Sequence, residues 1–232
     1  MKERLSTLVE YRDLAPEVRH FVFEIEDADR LPFVPGQFVS VTERLHGRDV
    51  TRAYSIASPP DGRRFELCLN RVLNGLISPH LFTLKPGDKV RITEPNGYFL
   101  PRQPMDTSLF VATGTGIAPV RAILKHVLAN GEQARMTLLF GVRHADGILY
   151  RDEFEQLAAM HPNFRFWPTL SRPEPGWQGR TGHVQGHLDE ALEGSKAVDV
   201  YICGLKAMVD DVRRRLREKG FDRRRIVYEK YD

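Results

Sequence analysis

The segment that most restricts the fold lies at the middle of the chain. There an unbroken apolar run, Ser108–Ala112, meets Thr113-Gly114-Thr115-Gly116-Ile117-Ala118-Pro119. A short run of that kind reads as a strand buried on both faces, and such strands belong to parallel sheets. The glycines permit a turn that side chains would block, and Pro119 suits the first turn of a helix. That helix extends to Asn130 and is closed by Gly131. On its own, the glycine turn is either a tight strand–helix connection or a place where backbone N–H groups approach a pyrophosphate at a helix N-terminus.

The rest of the C-terminal half repeats the unit. Met136–Phe140, Arg165–Leu170, Asp199–Cys203 and Ile226–Tyr228 read as strands. Arg151–Met160, Gly186–Glu193 and Lys206–Lys219 read as helices, the last ended by Gly220. This alternation predicts a parallel α/β sheet. The first hundred residues differ. Val18–Glu24, Phe38–Thr42, Arg64–Asn70 and Lys89–Thr93 are short strands. Pro35-Gly36, Pro59-Pro60-Asp61-Gly62, Pro86-Gly87-Asp88 and Pro95-Asn96-Gly97 punctuate them, which predicts an antiparallel barrel or sandwich. The texture changes between residues 101 and 105, dividing the chain into domains 1–102 and 103–232.

A chain of 232 residues can bury two cores, and its net charge of +3 does not suggest nucleic-acid binding. Basic residues do cluster over Asp210–Arg225, with Arg213, Arg214, Arg215, Arg217, Lys219, Arg223, Arg224 and Arg225. Such a run is either a solvated helix face or a docking patch for an acidic partner. Cys68 and Cys203 are far apart and no C-x-x-C occurs, so no metal site is expected and a reducing, cytoplasmic compartment fits. The charged start Met1-Lys2-Glu3-Arg4 does not read as a signal peptide, and no stretch approaches the ~20 apolar residues of a membrane span.

Open parallel sheets bind ligands at the carboxyl ends of their strands. Two such ends carry unusual residues: Gly114–Pro119, and Cys203-Gly204 ahead of the last long helix. Cys203 alone reads equally well as a buried structural thiol. In the first half the unusual run is Arg52-Ala53-Tyr54-Ser55. Arginine offers a fork of donors to a phosphate, and an aromatic two residues on shares its strand face and can stack on a planar ring. The following serine can hydrogen-bond a ring nitrogen. The alternative is an edge strand with an exposed arginine.

Together these runs resemble the ferredoxin–NADP reductase superfamily over nearly the full length, closest in pattern to bacterial ferredoxin/flavodoxin–NAD(P)H reductases. Arg52-Ala53-Tyr54-Ser55 is similar to the R-x-Y-S flavin motif, and Asn74-Gly75-Leu76-Ile77-Ser78 to the turn that holds the flavin pyrophosphate. Pro95-Asn96-Gly97-Tyr98-Phe99 resembles the P-x-G-x-F run that closes the barrel. Gly114–Pro119 resembles the nucleotide turn, Cys203-Gly204 the C-G motif, and Tyr228-Glu229-Lys230-Tyr231 the acidic-aromatic terminus. The order and spacing of all six carry the resemblance. It implies an N-terminal antiparallel flavin-binding β-barrel followed by a C-terminal parallel-sheet nicotinamide-nucleotide-binding domain.

The resemblance also implies roles. Arg52 would bind flavin phosphate, Tyr54 would stack on the isoalloxazine with Ala53 between them, and Ser55 would sit near the hydride-accepting nitrogen. Leu69, Asn70 and Arg71 would flank the ribityl and phosphate groups. Gly75, Leu76, Ile77 and Ser78 would hold the pyrophosphate, which argues for FAD. Gly114, Thr115, Gly116, Pro119 and Gly204 would line the nicotinamide nucleotide. Cys203 would lie beside the nicotinamide, with Glu229 as a nearby acid and Tyr231 covering the flavin. Arg143, Ser171, Arg172 and Arg180 match positions where NADP-using relatives hold the 2′-phosphate, which favours NADP over NAD.

The implied function is an FAD-dependent oxidoreductase passing electrons from NADPH to a separate carrier, ferredoxin or flavodoxin, with the protein as a monomer. The alternatives are the reductase component of an oxygenase, a reductase of free flavin, and a redox-sensing subunit without turnover.

Overall fold

The computed structural model describes residues 3–231 and divides them between two sheets. The first has six strands in the order β4-β3-β6-β1-β2-β5: β1 (Glu3–Ala15), β2 (Val18–Ile25), β3 (Phe38–Leu45), β4 (Arg48–Ser55), β5 (Arg64–Asn70) and β6 (Lys89–Thr93). Every paired neighbour is antiparallel. An Ile56–Leu67 bridge and the Ala57 N–H donating to Glu66 O at 2.7 Å bring the two ends of the sheet together. Phe21, Phe23, Phe65, Val39, Val41 and Ile92 fill the interior. A five-residue helix, α1 (Ile77–Leu81), sits between β5 and β6.

Two elements here, β1 and α1, were not predicted, and of β4 only the Arg52–Ser55 run was read as strand. β1 shows little alternation because register shifts interrupt it at Leu8/Glu10 and Asp13/Ala15, and much of its second half is exposed. β4 exposes Arg48, Asp49, Thr51, Arg52 and Ala53, so it lacks the apolar rhythm of a half-buried strand. Helix α1 is too short to display a helical period.

The second sheet is wholly parallel, ordered β10-β9-β8-β7-β11-β12: β7 (Ser108–Thr113), β8 (Met136–Val142), β9 (Phe164–Leu170), β10 (Arg180–Thr181), β11 (Asp199–Leu205) and β12 (Ile226–Tyr231). The predicted strands are all present, most of them extended by one to three residues at their carboxyl ends. Helices α2 (Ile117–Ala129), α3 (Arg151–Met160), α4 (Leu188–Leu192) and α5 (Lys206–Glu218) cover it. Side chains alternate between its faces: Leu109 and Val111 pack toward α4 and α5, Phe110 and Ala112 toward α2. From β7 the chain moves outward through β8 and β9, then returns to place β11 on the other side of β7. The order reverses between β7 and β11, and a crevice opens at such a switch point.

A second apolar cluster joins the halves, combining Ala57, Cys68 and Phe99 of the barrel with Phe110, Ile117, Tyr150 and Cys203 of the sheet domain. At this seam His20, 5% exposed, meets the Tyr150 hydroxyl through Nδ1 at 2.9 Å. Tyr150 adopts φ 56°, a left-handed conformation uncommon for a bulky residue, as α3 begins. Burial drives His20 down from 6.5 to about 4; Arg121 and Arg12 add to this, while Glu66 and Glu153 oppose it.

His20 is therefore neutral in the fold at pH 5, where an unfolded histidine binds a proton. Stability then falls as pH drops from 6.5 toward 4, by up to about 3 kcal/mol from this group. Thermal melts from pH 7.0 to 4.5 check this: His20→Gln is expected to lose less Tm over that window than the unaltered protein.

Candidate active site

The two halves meet where β4 ends. Ser55, the last residue of β4, donates to Glu229 Oε1 at 2.7 Å and accepts from the Tyr231 hydroxyl at 2.6 Å. Glu229 and Tyr231 lie on β12, with Glu229 paired in register to the fully buried Cys203 on β11. Three strands from two domains thus assemble the three residues with predicted catalytic roles, together with Tyr231. Burial raises the Glu229 carboxyl above the usual carboxylate range, partly offset by the Ser55 hydrogen bond. Burial also pushes Cys203 and Tyr231 well above their ordinary values, reinforced by Glu229 in both cases. Burial thus favours the protonated forms, and hydroxyl, thiol and carboxyl groups lie together in one small volume.

The glycine turn approaches the same cluster from the sheet's carboxyl edge. A methyl group built on Gly116 would stand 2.6 Å from the Cys203 carbonyl carbon and 2.8 Å from Gly204 Cα, so only glycine lets the turn pass so close. Gly114, at φ 54°, faces open space. Thr113 Oγ1 is buried with no hydrogen-bond partner among the described residues and abuts Gly204. Thr115 is half-buried, while Pro119 is buried in the first turn of α2.

At the ends of β8 and β9 the Arg172 N–H donates to Arg143 O at 2.9 Å and the Ser171 N–H to Val142 O at 3.0 Å. This brings together the exposed Arg143 and Arg172, neither of which has a carboxylate within 4.0 Å among the described residues. Arg180 is placed differently. Its guanidinium lies 3.7 Å over the Trp167 ring and pairs with Glu190 at 2.6 Å.

On the barrel, Arg52 is exposed and among the described residues donates only to the neighbouring Thr51 carbonyl, and Tyr54 is half-buried with its phenol raised by desolvation. Ala53 is exposed between them. Asn70 is exposed, but Leu69 points into the barrel core, leaving only its backbone to face a ligand. Arg71 forks onto Glu17 at 2.5 and 2.8 Å. The Gly75 N–H donates to Val72 O at 2.8 Å and Ser78 Oγ accepts from the Val72 N–H at 3.0 Å, so the Ser78 O–H proton stays free to donate. Leu76 and Ile77 lead into α1 beside them.

Uncompensated Arg52, Arg143 and Arg172, the unpartnered Thr113 hydroxyl and the space at Gly114 form a donor set suited to phosphate-bearing dinucleotides. The basic run on α5 is a different matter. Arg213, Arg214 and Arg215 pair with Asp210, Asp211 and Glu218 along the helix, and Lys219 pairs with Asp189. That is a solvated, largely self-neutralised face. Sequence reasoning missed Arg121, on α2, and its partners at the domain seam. The one available signal was a lone charge inside the apolar stretch Ile117–Leu124.

This arrangement defines a two-domain oxidoreductase that places a flavin nucleotide against a nicotinamide nucleotide. The family model described as oxidoreductase FAD-binding domain matches residues 6–100, and that described as oxidoreductase NAD-binding domain matches residues 110–214. Ferredoxin–NADP reductase B of Sorangium cellulosum is 44% identical over 237 residues, covering 98% of this chain and 97% of the relative. The toluate 1,2-dioxygenase electron transfer component of Pseudomonas putida is 31% identical, covering 88% of this chain and 60% of that longer protein. Among solved structures, an Amycolatopsis cytochrome P450 reductase superposes with a TM-score of 0.89 at 29% identity, covering 99% of this chain and 69% of that one. The chain belongs to the ferredoxin–NADP reductase superfamily. It is an FAD-dependent NAD(P)H oxidoreductase, as its sequence implied.

Arg172→Ala tests the coenzyme reading. Loss of a charge-assisted phosphate contact of about 1.5–3 kcal/mol should raise the KM for NADPH ~10- to 100-fold while that for NADH changes about twofold or less, by steady-state kinetics with an artificial acceptor.

Proposed function

We propose that the protein oxidises NADPH through bound FAD and passes electrons to a separate ferredoxin- or flavodoxin-like carrier. The observation that carries this reading is the Ser55–Glu229–Tyr231 cluster at the junction of an FAD-binding and an NAD-binding domain. When bound, FAD supplies a ring that accepts a hydride and releases electrons singly or in pairs. The chain's own task is placement.

Arg52 and the Gly75–Ser78 turn hold the flavin phosphates, with Leu69, Asn70 and Arg71 along their flank. Tyr54 packs against the flavin ring. Gly114, Thr115, Gly116, Pro119 and Gly204 receive the nicotinamide nucleotide, and Arg143, Ser171 and Arg172 take its 2′-phosphate. Arg180 belongs to this set through stacking on Trp167 more than through a free charge. Cys203 sits beside the nicotinamide, Tyr231 covers the flavin, and Glu229, its carboxyl raised by burial, stands next to Ser55 as the nearby acid. Domains 1–102 and 103–232 each carry one nucleotide. Ferredoxin as acceptor rests on the Sorangium relative, whose name states it. The second reading, a reductase component of an oxygenase, rests on the toluate dioxygenase relative.

The test is purification followed by anaerobic mixing. A yellow protein with about one FAD per chain is expected, reduced faster by NADPH than by NADH and reoxidised by ferredoxin or flavodoxin. Colourless protein that turns over only with added flavin would replace the reading with a free-flavin reductase. Ser55→Ala should slow flavin reduction about 100-fold with little change in NADPH affinity.

A further inference from the structure

Arg121 is 3% exposed and forms the centre of the seam between the two domains. It lies two residues beyond Pro119, in the first turns of α2, directly behind the nucleotide turn. Its Nη1 donates to the Ala57 carbonyl at 2.7 Å, and Ala57 lies two residues beyond Ser55. The same nitrogen bonds Glu66 on β5, whose own carbonyl accepts from the Ala57 N–H at 2.7 Å. Nε and Nη2 fork onto both oxygens of Glu153 on α3, each at 2.7 Å. The Tyr150 ring lies 4.4 Å from the guanidinium carbon. Burial opposes the charge, but the Glu153 hydrogen bonds and Glu66 outweigh it and raise the guanidinium above its ordinary value. The same pairing takes Glu66 below the usual carboxylate range in spite of its burial.

One rigid fork thus connects the turn that would receive the nicotinamide nucleotide to the strand end that would face the flavin. Buried ion networks often add little net stability against packed apolar side chains. What this one supplies is a position: planar guanidinium donors fix two groups in direction as well as distance. Hydride transfer requires reacting atoms about 3–3.5 Å apart, and a displacement of about 1 Å costs on the order of 100-fold in rate.

We infer that Arg121 is a positioning residue for hydride transfer, setting the approach of the nucleotide turn to the Ser55 end of β4. It touches neither nucleotide and acts through Ala57, Glu66 and Glu153. This inference rests on the NADPH–FAD reading above.

Arg121→Lys tests it in the FAD-loaded protein, because lysine keeps the charge and loses the fork. Anaerobic stopped-flow reduction by NADPH should show the saturating rate reduced about 10- to 100-fold, with the half-saturating concentration changed about threefold or less. The absorbance change on titrating NADP+ into the oxidised protein should weaken at unaltered FAD content. Glu66→Gln keeps the Glu153 fork and the Ala57 bond, so it guards against a lysine variant that does not fold. It should slow the saturating rate about threefold to tenfold. A folded, FAD-replete variant with a rate within about twofold of the unaltered protein overturns the inference, as does a loss that follows FAD release or NADPH affinity alone. Failure of NADPH to reduce the unaltered protein overturns the functional reading itself, and the inference with it.

Discussion

A guanidinium taken out of water has to be answered on every side, and that requirement fixes how the two halves of this molecule meet. Arg121 is answered by Glu153 from its own domain and by Glu66 and the Ala57 carbonyl from the barrel. Alongside it the neutral His20 meets the Tyr150 hydroxyl. Sliding one domain over the other would leave at least one of these groups buried and unpaired. The apolar part of the seam, from Phe99 and Cys68 to Phe110 and Ile117, has no such directional preference. Polar groups therefore supply the register and apolar groups the bulk of the contact.

The active cluster depends on that register. Ser55 ends a barrel strand and Glu229 and Tyr231 belong to the outermost strand of the other sheet, yet their side chains are within hydrogen-bond distance. Cys203 reaches the same place because β11 lies at the point where strand order reverses. Glycine at 116 then allows the nucleotide turn to lie almost against the Cys203 carbonyl. Each feature belongs to a different local structure, and each is of use only when both domains are aligned.

Strong local rules made much of this legible. Buried parallel strands announce themselves as unbroken apolar runs, which is why Ser108–Thr113, Met136–Val142 and Asp199–Leu205 were found with their helices. β4 was legible only around Arg52–Ser55, because Arg48, Asp49, Thr51, Arg52 and Ala53 are all exposed and the strand does not alternate. Leu69 shows the limit of carrying over a motif. The resemblance gave Leu69 a place along the flavin, but its side chain faces the barrel core. Arg180 was read as a 2′-phosphate donor and Arg71 as flanking the ribityl and phosphate groups, whereas Glu190 and Glu17 have already engaged them. The basic run on α5 was ambiguous as sequence, because spacing alone does not tell whether acids three and four residues away are paired to it.

The sequence by itself determined the two-domain order, the nature of each sheet, and the motifs that mark a flavin half and a nicotinamide half. All of these follow from residues near one another in the chain: glycine and proline at turns, apolar periodicity, a cysteine and glycine at a strand end. Only the tertiary structure decided which of those residues meet. The Ser55–Glu229 and Tyr231–Ser55 bonds span 174 and 176 positions, and the Arg121 bonds to Ala57 and Glu66 span 64 and 55. Contacts at that separation depend on domain docking, which is specified by burying a few polar groups in complementary places and leaves no periodic trace in the sequence.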